Sequence, residues 1–165
     1  MLVRFVAENI YSFGERKEFN MIPRPKIKNL SHHKINVNGI ELLKMTSVYG
    51  ANAAGKSNLV KAIELLQDIV VEEKLPINIK NLQFKFQDLS VSKPMLLAVE
   101  FIHEETPFLY ALEIIGERIS TEELYLSGLG KKDDQMLFER KTNAENETTL
   151  KFDAELEKNP EIKPF

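Results

Sequence analysis

The stretch YGANAAGKSN, residues 49–58, sets two glycines, a lysine and a serine at the spacing G-x-x-x-x-G-K-S. Each fixed residue has its own task if the ligand is a phosphate. Gly50 and Gly55 permit backbone conformations closed to other residues, so that successive N–H groups can turn inward around an anion. Lys56 supplies a point charge to the outer phosphates of a nucleotide, and Ser57 offers its hydroxyl to Mg²⁺. A helix starting here directs its positive end at the same anion. With Gly near 7% of residues in average proteins, a random chain of this length shows the pattern on the order of once in a few hundred cases. The spacing therefore predicts a site for ATP and Mg²⁺.

Hydrolysis asks for more: an Asp ending an apolar strand to hold Mg²⁺, and a Glu to orient water. The run 95–100 ends in Glu100 without an Asp, and Leu97, Val99 and Phe101 alternate along it, which predicts a half-exposed strand rather than a catalytic carboxylate. His32 and His33 stand in a polar stretch with no Cys, Asp or Glu at ligand spacing, which predicts a solvated pair. Glu104–Glu105 and Glu122–Glu123 are sequence neighbours, and such pairs point to opposite faces of a strand. Tyr11 and Phe13 are core-packing aromatics by type, and Tyr11 is the ring taken here as able to stack on adenine.

The elements that must position the loop can be read from periodicity. Residues 2–10 alternate, with Val3, Phe5 and Ala7 on one face and Arg4 and Glu8 on the other, which predicts a half-buried strand. A turn at 12–15 leads to a short strand over 16–22, ended by Pro23 and Pro25; residues 26–38 read as an irregular connection, and Asn38–Gly39 as a turn. The apolar run 42–49 predicts a strand entering the loop. After the loop, Leu59, Ala62, Ile63, Leu66, Ile69 and Val70 recur at spacings of three and four, predicting an amphipathic helix closed by Pro76. The runs 95–102, 108–115, 122–126, 136–140 and 148–152 predict an antiparallel meander. The expected organisation is α/β: one domain over 1–152 built on a strand-loop-helix and a largely antiparallel sheet, then a loosely held tail over 153–165.

Composition narrows the classes. The 165 residues are 43% apolar and 28% charged, which excludes collagen-like and wholly disordered chains. There is no cysteine, so disulfides and thiolate chemistry are excluded. No apolar run approaches the roughly 20 residues that span a bilayer, the first residues lack a signal-peptide core, and the expectation is a cytoplasmic protein with no membrane partner. A net charge of -3 provides no global attraction to nucleic acid.

The order Glu8-Asn9-Ile10-Tyr11-Ser12-Phe13, then the loop 50–58, then Leu59-Val60-Lys61-Ala62-Ile63, resembles the N-terminal half of ABC-type ATPases. Within them it is most similar to the bacterial AAA-15/AAA-21 P-loop ATPases related to the OLD nucleases, RecF, Rad50 and SMC proteins. The likeness continues through Phe84–Asp88, Lys93-Pro94, Val99–Ile102, Tyr110–Ile114, Ile119, Glu122–Tyr125 and Leu137–Arg140, so it covers residues 1 to about 152.

The resemblance implies an N-terminal lobe of the ABC-ATPase type, with Asn52, Ala53, Ala54 and Asn58 joining Gly50, Gly55, Lys56 and Ser57 around the phosphates. It places Gln87 near a glutamine that senses Mg²⁺ and the γ-phosphate, and Tyr11 in a slot usually basic. The signature segment, Asp-Glu strand and switch histidine of such ATPases have no counterpart here. The chain thus resembles the first half of one head, incomplete for hydrolysis alone. Implied partners are a second head as homodimer, a nuclease or toxin effector, or nucleic acid, in phage resistance (abortive infection). Two rival expectations are a small P-loop kinase, which would follow the loop with parallel strands and helices, and a non-enzymatic nucleotide-binding interaction module.

Overall fold

The computed structural model describes residues 1–24, 31–86 and 93–158. The alternating N-terminus forms β1 (Leu2–Glu8), which pairs antiparallel with the short β2 (Lys17–Asn20). A separate hairpin follows, β3 (Lys34–Val37) and β4 (Ile40–Leu43), closed by Asn38 and Gly39 at φ 52° and 75°. Both values lie in the left-handed region that a two-residue hairpin turn requires, which is why Asn-Gly is legible as a turn. The polar strand before that turn was not legible: Lys34 to Val37 carries no strong alternation and lies in the stretch expected to be irregular.

After the loop comes α1 (Lys56–Glu72), and then the meander: β5 (Met95–His103), β6 (Thr106–Ile115), β7 (Arg118–Leu126), β8 (Gln135–Thr142) and β9 (Thr148–Phe152). The large sheet has the order β2-β1-β5-β6-β7-β8-β9 and every pairing is antiparallel. The predicted meander is present, and the parallel strands expected of a small kinase do not occur among the described residues. Glu104 and Glu105 form the β5–β6 turn, at φ 46° and 67°, between the two runs expected to be strands.

α1 packs across one face of the sheet. Ala62, Leu65, Leu66 and Ile69 are buried against Phe5 and Ala7 of β1, Leu97 of β5 and Leu112 and Ile114 of β6. Leu65 takes a place in this stripe that the spacing argument assigned to Val70, which is 51% exposed. Val70 lies about 100° around the helix from Ile69 and faces a shallow apolar groove instead of the sheet.

The other face of the sheet is also covered, which the sequence reading missed. A bulge in β1 between Leu2 and Arg4 sends Val3 to the side opposite Phe5 and Ala7, so the three do not share one face. Val3 there meets Leu42 of the hairpin and Ile102 of β5. On the same side Glu100 is buried rather than half-exposed, at 1% accessibility. It accepts hydrogen bonds from Arg4 Nε and Ser127 Oγ, and the Ser127 oxygen in turn accepts from the Leu129 N–H at 2.9 Å. The hydrogen bond to Glu100, opposed by partial burial, raises the Arg4 guanidinium pKa.

The run 42–49 does not form one strand into the loop. β4 ends at Leu43, and Met45, Val48 and Tyr49 are exposed at 66%, 48% and 91%. A strand needs a neighbour's backbone hydrogen bonds, and among the described residues none pairs with residues 45–49.

Because Leu97 is fully buried between α1 and the sheet, Leu97→Ala should destabilise the fold by about 2–5 kcal/mol in urea unfolding. Val71→Ser on the exposed flank should change stability by no more than about 0.5 kcal/mol.

Candidate functional site

The loop between Tyr49 and α1 turns through two left-handed positions, Ala53 at φ 63° and Gly55 at φ 87°. Gly55 is also the N-cap of α1, with no side-chain cap and no acidic residue in the first turn. The orphan N–H groups of a helix start are normally satisfied by a side chain, water or a ligand. Leaving them uncapped, with no carboxylate in the first turn, leaves the positive end of the helix available to an anion.

Lys56 folds back over the loop. Its Nζ donates to the carbonyl oxygens of Gly50 at 2.8 Å and Ala51 at 2.7 Å. An ammonium carries three protons, so one donor remains for a ligand while the other two hold the charge at the loop mouth. Ser57 is exposed, its hydroxyl without a hydrogen-bond partner among the described residues, and a free hydroxyl at this position suits a hard cation. Asn52, Ala53 and Ala54 are exposed, while Gly55 and Asn58 are half-buried at the base. The loop thus brings together an uncapped helix start, the Lys56 ammonium and the Ser57 hydroxyl, a chemistry that fits a phosphate with a divalent cation.

A cavity of about 210 Å³ adjoins the loop. It is lined by Phe13, Lys17, Phe19, Tyr49, Gly55 and Lys56 among others, an aromatic wall beside a cationic end. The wall comes from the β1–β2 corner. Ile10 is fully buried there and exchanges backbone hydrogen bonds with Phe13 (3.0 and 2.8 Å), while Tyr11 N–H donates to Leu82 O at 2.6 Å. Asn9 and Tyr11 are held at φ 54° and 51°, each a conformation costing on the order of 1–3 kcal/mol for a residue other than glycine. Asn9 is buried, and its Nδ2 donates to Lys93 O at 2.8 Å.

This corner sorts the two aromatics. Both rings pack half-buried against the core under the sheet, and of the two Phe13 lines the cavity. Burial raises the Tyr11 phenol pKa, and the carboxylates of Glu64 and Asp68 add to the effect. Gln87 lies outside the described residues.

The other sequence candidates stand apart. Glu100 is on the face of the sheet opposite α1, tied to Arg4 and Ser127. Glu122 and Glu123 do point to opposite faces, and Glu122 binds the Tyr110 hydroxyl at 2.7 Å and Arg140 at 2.6 Å. His32 and His33 are exposed with ring centroids 4.1 Å apart, and no group of His, Asp or Glu able to hold a metal ion occurs among the described residues. Sequence reasoning missed Ser12, Lys17 and Phe19 as neighbours of the loop. The only signal for them was the turn at 12–15, which does not say what the turn packs against.

Fold and loop together define a P-loop nucleotide-binding domain. Residues 45–163 match the AAA_21 family, described as "AAA domain, putative AbiEii toxin, Type IV TA system". The match covers well over half of the chain, which belongs to this family of AAA-type P-loop ATPase domains. No curated protein and no solved structure gives a significant match. No helix among the described residues is long and apolar enough to cross a membrane.

The left-handed backbone at Gly55 predicts that Gly55→Ala destabilises the fold by about 1–2 kcal/mol in urea unfolding. Gly116→Ala, at φ 62° with open space around it, is the matched control. Any loss at Gly55 beyond that control measures how firmly Ser12 is held against the loop.

Proposed function

We propose that this chain is the ATP- and Mg²⁺-binding N-terminal lobe of an OLD/RecF/SMC-like ATPase of ABC type, spanning residues 1–152 and acting in the cytoplasm. The observation that carries the reading is the uncapped start of α1 with the Lys56 ammonium folded over the Gly50 and Ala51 carbonyls. In this reading Gly50 and residues 52–58 cradle the phosphates, Lys56 neutralises the outer ones, and the Ser57 hydroxyl holds Mg²⁺. Phe13 and Phe19, not Tyr11, provide the apolar wall for the base, because they line the cavity next to Gly55.

Binding without appreciable turnover is the activity proposed for these 165 residues. Glu100, the acid weighed for hydrolysis, is neutralised by Arg4 on the far side of the sheet. A second head, completing the site as a homodimer, is the partner this reading implies. The family description mentions a toxin of a type IV toxin–antitoxin system, and a phage-defence role with a nuclease, toxin or nucleic-acid partner is the biological setting that fits it.

Mass action provides the test. A ligand at 100-fold excess over its Kd stabilises the native state by about 2.7 kcal/mol, or about 5–10 °C for a chain of this size. ATP with Mg²⁺ should raise the melting temperature by that amount, and Lys56→Ala should abolish most of the rise while leaving the unliganded melting temperature within about 2 °C. No shift at millimolar ATP would instead favour a partner-binding module. Steady ATP hydrolysis that Lys56→Ala abolishes would overturn the proposed incapacity.

A further inference from the structure

Ser12 sits between the left-handed Tyr11 and the cavity-lining Phe13, in the most heavily braced corner beside the loop. The bracing comes from several directions. Ile10 and Phe13 bond to each other, Tyr11 N–H bonds to Leu82 O, Phe84 N–H bonds to Asn9 O at 3.2 Å, and the Asn9 side chain bonds to Lys93 O. Strain that a fold fastens so thoroughly points from the observed outliers toward a function.

The Ser12 side chain is exposed and has no hydrogen-bond partner among the described residues. Yet it is close to the loop: a Cβ built on Gly55 would lie 2.9 Å from Ser12 Oγ and 3.9 Å from the Phe13 ring. The hydroxyl therefore stands over the Gly55 Cα, at the uncapped start of α1. It comes from a different part of the chain than the loop, which supplies the Lys56 ammonium and the orphan N–H groups.

We propose that Ser12 is a ligand-binding residue whose hydroxyl donates to a phosphate oxygen of the nucleotide seated over Gly55. The proposal rests on the nucleotide reading above. A hydroxyl bonding to an anionic oxygen is shorter and stronger than a neutral pair, and a hydroxyl held by a rigid corner loses little freedom on binding. A side chain at Gly55 would collide with the hydroxyl, so glycine there is what lets Ser12 stand against the start of the helix. Binding would then join the β1–β2 corner to the loop through the ligand.

The test is calorimetric titration of the unaltered chain and Ser12→Ala with MgADP and with magnesium tripolyphosphate, which has phosphates but neither sugar nor base. The melting temperature of each unliganded protein is measured alongside. Ser12→Ala should bind both ligands about tenfold more weakly, with the unliganded melting temperature unchanged. Unchanged affinity overturns the proposal. So does a loss seen with MgADP alone, which would assign the hydroxyl to the sugar or base, and so does a parallel fall in the unliganded melting temperature, which would assign Ser12 to the fold of the corner. If the unaltered chain and Lys56→Ala are equally unable to bind either ligand, the nucleotide reading itself fails and takes this proposal with it. Normal binding by the unaltered chain that Ser12→Ala leaves intact removes this proposal alone.

Discussion

The start of α1 is an uncompensated positive pole, and the seating of that helix on the sheet decides where the pole points. Ala62, Leu65, Leu66 and Ile69 lock the helix against Phe5, Leu97 and Leu112, so Gly55 and Lys56 emerge beside the β1–β2 corner. Helix dipole effects fade within the first turn. A rotation or slide of the helix by one turn would carry the orphan N–H groups away from the cavity. Core packing and anion binding are thus one constraint: the apolar stripe that stabilises the fold also aims the donors.

The corner facing this pole is built against its local preference. Asn9 and Tyr11 both occupy left-handed backbone, and what holds them is tertiary: buried Ile10, the Leu82 carbonyl, the Phe84 amide and the carbonyl of Lys93. Apart from Ile10, these partners are Leu82, Phe84 and Lys93, far along the chain, so the corner depends on contacts made only in the folded state. Its outcome is that Ser12 and Phe13 lie beside Gly55, and that Phe13 rather than Tyr11 lines the cavity.

The opposite face of the sheet solves a different problem. Glu100 is a carboxylate at 1% exposure, and a buried charge persists only when paired and hydrogen-bonded. Arg4 and Ser127 meet that demand, and the β1 bulge that frees Val3 to cover the hairpin also keeps Arg4 on the same side as Glu100. The result separates two regions of the sheet electrostatically. The helix face keeps a cationic loop, and the acid nearest to a catalytic pattern in sequence is spent on structure.

Local signals were enough to determine the loop spacing, the left-handed Asn-Gly turn, the helix after Gly55 and the five strands of the meander. Their causes lie within a few residues: glycine's conformational freedom, helical periodicity and period-two alternation. The sequence could not determine that Val3 leaves its face, that Glu100 is buried, that residues 45–49 lack a strand partner, or that Phe13 rather than Tyr11 lines the cavity. Each of these depends on which distant backbone supplies a hydrogen bond or a roof. Pairing across roughly a hundred residues, as between Arg4 and Glu100, leaves no local trace in residue type, so only the tertiary structure could decide it.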